Sequence, residues 1–307
     1  MPIDNARVAL LLGAIGVVYL GAFGFALHAI ARRTPLGRRG RWARRIVVGL
    51  AVLGVACFVY ARFVEPYRLE VTHVRVATAK LKHGAKPIRI VQISDVHSDP
   101  AVRLEERLPA AIAAEHPDAI VFTGDAINSR DGLSNFRRLM TGLSGIAPTY
   151  AVRGNWDVWY WGDIDLFGGT GVIELNDTVQ PLTGSELWLA GLPYGDEAKL
   201  EHVIATIPPG AISVLLFHTP DEIEHASTLG IDLYLAGHTH GGQFALPWYG
   251  ALITYSKFDK RFEAGRYQVG STTLYVNRGI GMEGGHAPRI RFFARPEVTV
   301  IDLVATD

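Results

Sequence analysis

Seven side chains scattered along the chain, Asp95, His97, Asp125, Asn155, His218, His238 and His240, offer carboxylate, amide and imidazole donors and no thiolate. Hard oxygen and nitrogen donors of this kind suit Mn²⁺, iron or Zn²⁺ and disfavour a thiophilic centre. Two such ions about 3.5–4 Å apart need a carboxylate between them, ligands on either side and room for a phosphoryl oxygen, and this set has the right types for that arrangement. Each residue alone says little, since a single His after a strand is more often a hydrogen-bonded structural residue than a ligand.

The elements that must carry these residues give the set its meaning. Asp95 follows the apolar run RIVQIS, Asp125 follows AIVFTG, Asn155 follows TYAVRG, His218 follows SVLLF and His238 follows LYLAG. All five sit where a strand ends, the place where open α/β sheets build their sites. Gly124, Gly154 and Gly237 precede three of them, as expected where backbone turns tightly or approaches a ligand. Between the strands, periodicity predicts helices over Val102–His116, Leu133–Ser144 and Glu197–Ile207, and over the segment DEIEHASTL. Such alternation points to an α/β fold of two packed mixed β-sheets flanked by helices.

In order, the chain reads D-x-H at Asp95-Val96-His97, G-D at Gly124-Asp125, G-N-x-D at Gly154-Asn155-Trp156-Asp157, His218 after a strand, and G-H-T-H at Gly237–His240. This series resembles the signature of the calcineurin-like metallophosphoesterases. GHTHGGQ, the later RGIG and PEV near the end resemble the family's membrane-associated bacterial branch. The similarity covers about residues 85 to 303. It implies a sandwich fold and two divalent ions, manganese foremost, with iron or zinc as alternatives. Asp95, His97 and His240 would hold the first ion; Asn155, His218 and His238 would hold the second; and Asp125 would bridge them. It further implies hydrolysis of a phosphoester or pyrophosphate by a metal-bridging hydroxide, with Asp125, Asn155 and His238 as catalytic residues. Metal coordination lowers the pKa of water from about 15.7 toward 7, so no protein base is needed.

One departure bears on mechanism. The family usually carries His where this chain has Trp156, and Trp has no proton to give at useful pH. A phosphate leaving group needs little help, whereas an alkoxide does, so anhydride cleavage is favoured over hydrolysis of alkyl monoesters. A related hydrolase that splits UDP-2,3-diacylglucosamine also lacks His there and has Arg. Lost activity, leaving a metal-binding membrane sensor or scaffold, is the competing reading, as is a proton supplied by His286 or Arg153. Trp156, Arg153 and His286 are therefore the expected substrate-binding residues. WDVWYWG places Trp156, Trp159, Tyr160 and Trp161 together, to stack a base, line an acyl groove, sit at a bilayer surface or pack in the core.

Two apolar runs, Val8–Ile30 and Ile46–Val64, are each long enough to cross a hydrocarbon layer of about 30 Å as a helix. Between them Arg32, Arg33, Arg38, Arg39, Arg41, Arg44 and Arg45 crowd a short loop. Positive charge of that density marks the cytoplasmic side, which places the remainder of the chain outside the cytoplasm in a multi-pass protein of the inner membrane. The expected division is a membrane anchor over residues 1–65 and a phosphoesterase domain over 66–307. Of 30 basic and 30 acidic residues, ten arginines and only Asp4 and Glu65 fall within the first 68, which leaves 20 basic against 28 acidic groups in the rest. A head with that balance is not a polyanion binder, so the expected partners are the bilayer and a phosphorylated, lipid-linked small molecule rather than nucleic acid. The lone cysteine, Cys57, lies in the second apolar run and excludes an intrachain disulfide.

Overall fold

The computed structural model describes residues 2–31, 36–283 and 289–306. Helices α1 (Pro2–Ala31) and α2 (Arg38–Phe63) form an antiparallel hairpin. The apolar windows Ala6–Ala29 and Arg38–Tyr67 have the length and composition to cross a membrane. Leu10, Val17, Leu20 and Phe23 point outward, each more than 60% exposed, which suits hydrocarbon and not water. The arginine-rich segment is less of a loop than expected: α2 begins at Arg38, so Arg38 to Arg45 form its first turns. Arg32 and Arg33 lie outside the described residues.

The first six-stranded sheet uses β1 (Glu70–Thr78), β2 (Ile88–Ile93), β3 (Ala119–Phe122), β4 (Thr149–Ala151) and β5 (Ile173–Glu174). Next along the chain are β6 (Thr178–Pro181), β7 (Leu187–Gly191), β8 (Ile212–Leu216) and β9 (Leu233–Ala236) of the second sheet. A small hairpin, β10 (Ala245–Leu246) with β11 (Gly250–Ala251), precedes β12 (Gly265–Val269) and β13 (Thr272–Val276), which complete the second sheet. The last strand, β14 (Glu297–Ala305), returns to the first. The orders are β1-β14-β2-β3-β4-β5 and β12-β13-β9-β8-β7-β6. In the first, β2 to β5 run parallel and β14 is antiparallel to β2; in the second, β7, β8, β9 and β13 run parallel between antiparallel edges.

Side-chain alternation divides the interior into layers. Ile90, Val121, Val214, Leu216, Leu233 and Leu235 meet between the sheets. Val91, Ile93, Ile120 and Phe122 face the other way, against α3 (Leu108–Ala113) and α4 (Leu133–Ser144). Leu215, Tyr234 and Leu274 turn toward α6 (Leu200–Ile204) and α7 (Ile223–Thr228). The result is the expected sandwich, with strands apolar on both faces because both are covered. α3 is shorter than the predicted Val102–His116. The Glu105 carboxylate accepts the N–H groups of Arg103 (2.8 Å) and Leu104 (3.0 Å), which holds that stretch in turns, and Pro109 is tolerated only in the first helical turn that follows.

Candidate metal centre

All of the seven residues lie at one edge of the sandwich, just past the carboxyl ends of parallel strands. β2 delivers Asp95 and His97, β3 delivers Asp125, β8 delivers His218, and β9 delivers His238 and His240. Asn155, beyond β4, opens helix α5 (Asn155–Trp161). Five of the seven have backbone in the left-handed region: Asp95 (φ 49°), His97 (44°), Asp125 (61°), His238 (71°) and His240 (52°). Such conformations cost on the order of 1–3 kcal/mol each and persist only where the surroundings dictate them.

The dictating contacts are backbone hydrogen bonds between loops. Asp95 N–H donates to Gly124 O (2.8 Å) and His97 N–H to Asp125 O (3.1 Å). Asp157 accepts three N–H groups, from Asp125 (2.8 Å), Ala126 (2.9 Å) and Gly154 (2.9 Å), and so ties the β3 loop to the β4 loop. His238 N–H reaches Asp95 Oδ2 at 3.1 Å, linking the two sheets. Gly124 stands at φ +98° with Gly154 N only 2.6 Å from where a Cβ would lie, so no other residue fits there.

Within this frame the donor atoms converge. His240 Nε2 lies 3.3 Å from Asp95 Oδ1, His218 Nε2 3.3 Å from Asp125 Oδ2, and His97 Nε2 3.5 Å from the same Asp125 oxygen. Among the described residues, Asp95, His97 and His240 form one set able to hold an ion and Asp95, Asp125 and His218 a second, each with its ligand atoms within 4.8 Å of one another. His218 Nδ1 donates to Thr123 O (2.6 Å), which turns Nε2 inward. His218 Nε2, both ring nitrogens of His97 and Asn155 Oδ1 are buried with no hydrogen-bond partner. Buried polar atoms are rarely left so, and several pointing into one space fit a cation. Residues 88–242 match the calcineurin-like phosphoesterase family, in which such clusters hold a dimetal centre. The chain belongs to that family.

Three relatives show how far the likeness extends. An uncharacterized metallophosphoesterase, YkuE of Bacillus subtilis (strain 168), is 34% identical over 81% of this chain and 90% of its own length. Phosphodiesterase YaeI of Escherichia coli (strain K12) is 30% identical over 80% of this chain and 93% of its own. UDP-2,3-diacylglucosamine pyrophosphatase LpxG of Chlamydia trachomatis (serovar D) is 26% identical over 80% and 93%.

The electrostatics of the cluster favour a cation. Burial holds His97 and His238 near 4, so both rings are neutral, the form that binds metals. Burial, His97 and the Arg291 guanidinium push His240 down as well. His218 behaves differently: burial opposes its charge, but the carboxylates of Asp125 and Asp95 overcome it and raise the ring to about 10. It carries the positive charge that the two carboxylates require. Burial also raises Asp95, with Asp125 adding to the effect and His218 opposing it.

The outer residues divide. Trp156 stands edge-on to His97, ring centres 5.3 Å apart, and its own N–H along the backbone donates to Asp125 Oδ1 (2.9 Å). Arg153 is not brought to the cluster: its guanidinium binds Glu174 (2.6 Å) and the carbonyls of Trp161 and Ile164, holding the end of α5, because β4 turns its side chain away from the ligands. His286 lies outside the described residues. Of the aromatic cluster, Trp161 bonds Ile127 O and packs on the core, whereas Trp159 and Tyr160 are more than half exposed.

Two residues at the centre were not singled out from sequence. Glu283 lines the cleft with His238 and His240, and its N–H donates to Gln243 Oε1 (2.8 Å); burial and the Asp125 charge raise its carboxyl. Arg291 is fully buried and lies 3.3 Å from His240 Nδ1. Neither had a readable signal, since EGGH and PRIRFF look like surface loop.

Proposed function

We propose that this chain is a membrane-anchored dimetal phosphohydrolase that cleaves a phosphoester or pyrophosphate bond in a lipid-linked substrate. The observation that carries the reading is the convergence of the partnerless buried ring nitrogens of His97 and His218 on Asp125, with His240 beside Asp95. Asp95, His97 and His240 hold the first ion; Asn155, His218 and His238 hold the second; and Asp125 serves both. Asp125, Asn155 and His238 line the reacting phosphoryl group. When bound, such ions, manganese foremost, supply a nucleophile from water at neutral pH and neutralise phosphoryl charge. The protein's part is to present neutral imidazoles, to fix Asp125 through the Trp156 N–H, and to exclude bulk water. Trp156 gives no proton, which favours leaving groups that are already weak bases, as in anhydrides, over alkoxides.

Two apolar helices and likeness to membrane-associated relatives support a membrane protein. We place residues 1–65 in the bilayer as the anchor and 66–307 outside the cytoplasm, since the arginines gather at the far end of the hairpin. The name of LpxG points to a second substrate, a UDP-diacylglucosamine; that substrate is expected on the cytoplasmic side, against the arginine bias. An inactive sensor would have no use for so many converging, strained ligands.

The test is metal-dependent hydrolysis by detergent-purified protein with bis-p-nitrophenyl phosphate, a p-nitrophenyl monoester, a UDP-diacylglucosamine and a polyprenyl pyrophosphate, each with Mn²⁺. Turnover of at least one is expected, and silence across the panel with metal bound would move the reading to a sensor.

Metal binding must also displace the His218 proton, because a ring raised to about 10 is protonated at neutral pH. Below that value, affinity rises with pH, by about tenfold per unit for each proton displaced. Calorimetric titration of Mn²⁺ from pH 6 to 8, in buffers of different ionisation enthalpy, should show this release; pH-independent binding would contradict it.

A further inference from the structure

The metal centre is one end of a longer space. A cavity of about 680 Å³ runs from His238, His240 and Glu283 into the crevice between α1 and α2, where Leu12, Ile15 and Cys57 form its walls. Its wall on α1 extends from Val8 to Tyr19. Those residues span roughly 16 Å at 1.5 Å per residue. Most polar groups lie at the catalytic end, and the hairpin end is aliphatic and aromatic apart from Cys57 and the Tyr19 hydroxyl. At the far end Tyr19 donates to Ala51 O (3.2 Å) and lies against Gly54, where an added Cβ would come within 2.7 Å of its hydroxyl.

A hairpin that served only as an anchor would close this crevice by side-chain packing, as it does where Val47 meets Gly21. Here it stays open beside the candidate ligands. Three contacts tie the hairpin to the head: Arg7 forms a two-pronged ion pair with Asp259 (2.9 and 2.8 Å), Arg291 N–H donates to Ala61 O (2.9 Å), and Ala294 N–H donates to buried Glu65 (2.6 Å). In a bilayer such a crevice is filled by hydrocarbon, and the chain that fills it ends at the metal centre.

We propose that this cleft receives an acyl chain of the substrate, taken laterally from the bilayer between α1 and α2, so that the phosphoryl group attached to it lies against His238 and His240. The proposal rests on the phosphohydrolase reading and names its substrate class, a phosphoryl group esterified to a long hydrocarbon chain. Moving a chain from lipid to an apolar cleft gains little free energy, since both surroundings are hydrocarbon. The cleft therefore acts by aligning the phosphoryl group, and a blocked cleft should impair turnover of chain-bearing substrates above all.

Cys57 provides the test, because it is the sole cysteine and lines the cleft. The full chain in lipid nanodiscs with Mn²⁺ is treated with N-phenylmaleimide, or carries Cys57→Trp. The measurement is kcat/KM for hexadecyl p-nitrophenyl phosphate relative to methyl p-nitrophenyl phosphate, which share a leaving group and differ only in the chain. The ratio should fall about tenfold or more, since misplacing reacting atoms by an ångström costs up to about 100-fold. An unchanged ratio overturns the proposal, whether both rates persist or both fall. If the unmodified protein hydrolyses neither ester, the hydrolase reading rests on the anhydride substrates of the panel above, and the cleft is then judged by binding alone. In that arm a phosphatidic acid carrying a photoreactive group in its chain should crosslink to residues of α1 and α2 lining the cleft, and the maleimide should abolish it. Absence of that crosslink, or equal competition by diacylglycerol, would make the occupant a structural lipid and sink the proposal.

Discussion

Asp125→Asn is expected to lower kcat for bis-p-nitrophenyl phosphate on the order of 10³-fold or more, about 4 kcal/mol of transition-state stabilisation. The amide preserves the shape and the acceptor for Trp156 N–H at 2.9 Å, so the fold should survive. What it removes is the charge. Burial works against ionisation of Asp125, yet the charge of the His218 ring, 3.3 Å away, with His97 and His238, holds the carboxyl down at about 2. In the proposed site a neutral amide between two cations would leave their mutual repulsion uncompensated. Elemental analysis should therefore find fewer than two metal ions per chain in the variant while its melting temperature without metal stays close to wild type. Retained activity at full metal content would show that Asp125 does not lie between the ions.

Asp157→Ala should be nearly as damaging without touching a ligand. Its carboxylate accepts from Asp125, Ala126 and Gly154 N–H, and all three would be left buried and unpaired. Each orphaned donor costs about 1–3 kcal/mol, so the variant should lose about 3 kcal/mol or more of stability. The β3 and β4 loops would also separate, and with them Asp125 and Asn155. Thermal unfolding and Mn²⁺ titration should show a lowered midpoint and weakened binding together, with Asp157→Asn in between because it keeps one acceptor oxygen. A normal midpoint with normal affinity would remove Asp157 from the supporting frame.

The gathering of these residues at one edge was legible because each follows an apolar run ending there, so that sequence order translates directly into spatial proximity. Leu133–Ser144 was legible for a related reason: its apolar residues recur on one face. Arg153 was misread because adjacency to Gly154 and Asn155 says nothing about which face of a strand end a side chain takes, and the Glu174 partner lies 21 residues on. The helix over Val102–His116 was overextended because a Glu105 side chain competing for backbone N–H groups leaves no trace in the periodicity. Glu283 and Arg291 were invisible for a third reason. They reach the centre from a segment brought there by β13 and β14, through contacts remote in sequence.

Arg291 N–H donates to Ala61 O at 2.9 Å, Glu65 holds Ala294, and the Arg291 side chain meets His240. For protein engineering this leaves no neutral place to cut. A version begun at residue 66 would discard the acceptors of two buried N–H groups, one of them on the residue whose side chain meets His240, together with one wall of the cleft. Its failure to turn over substrate would say nothing about the native molecule. The better route to a water-soluble form is to recolour the outward side chains Leu10, Val17, Leu20 and Phe23 with polar ones and keep the hairpin in place.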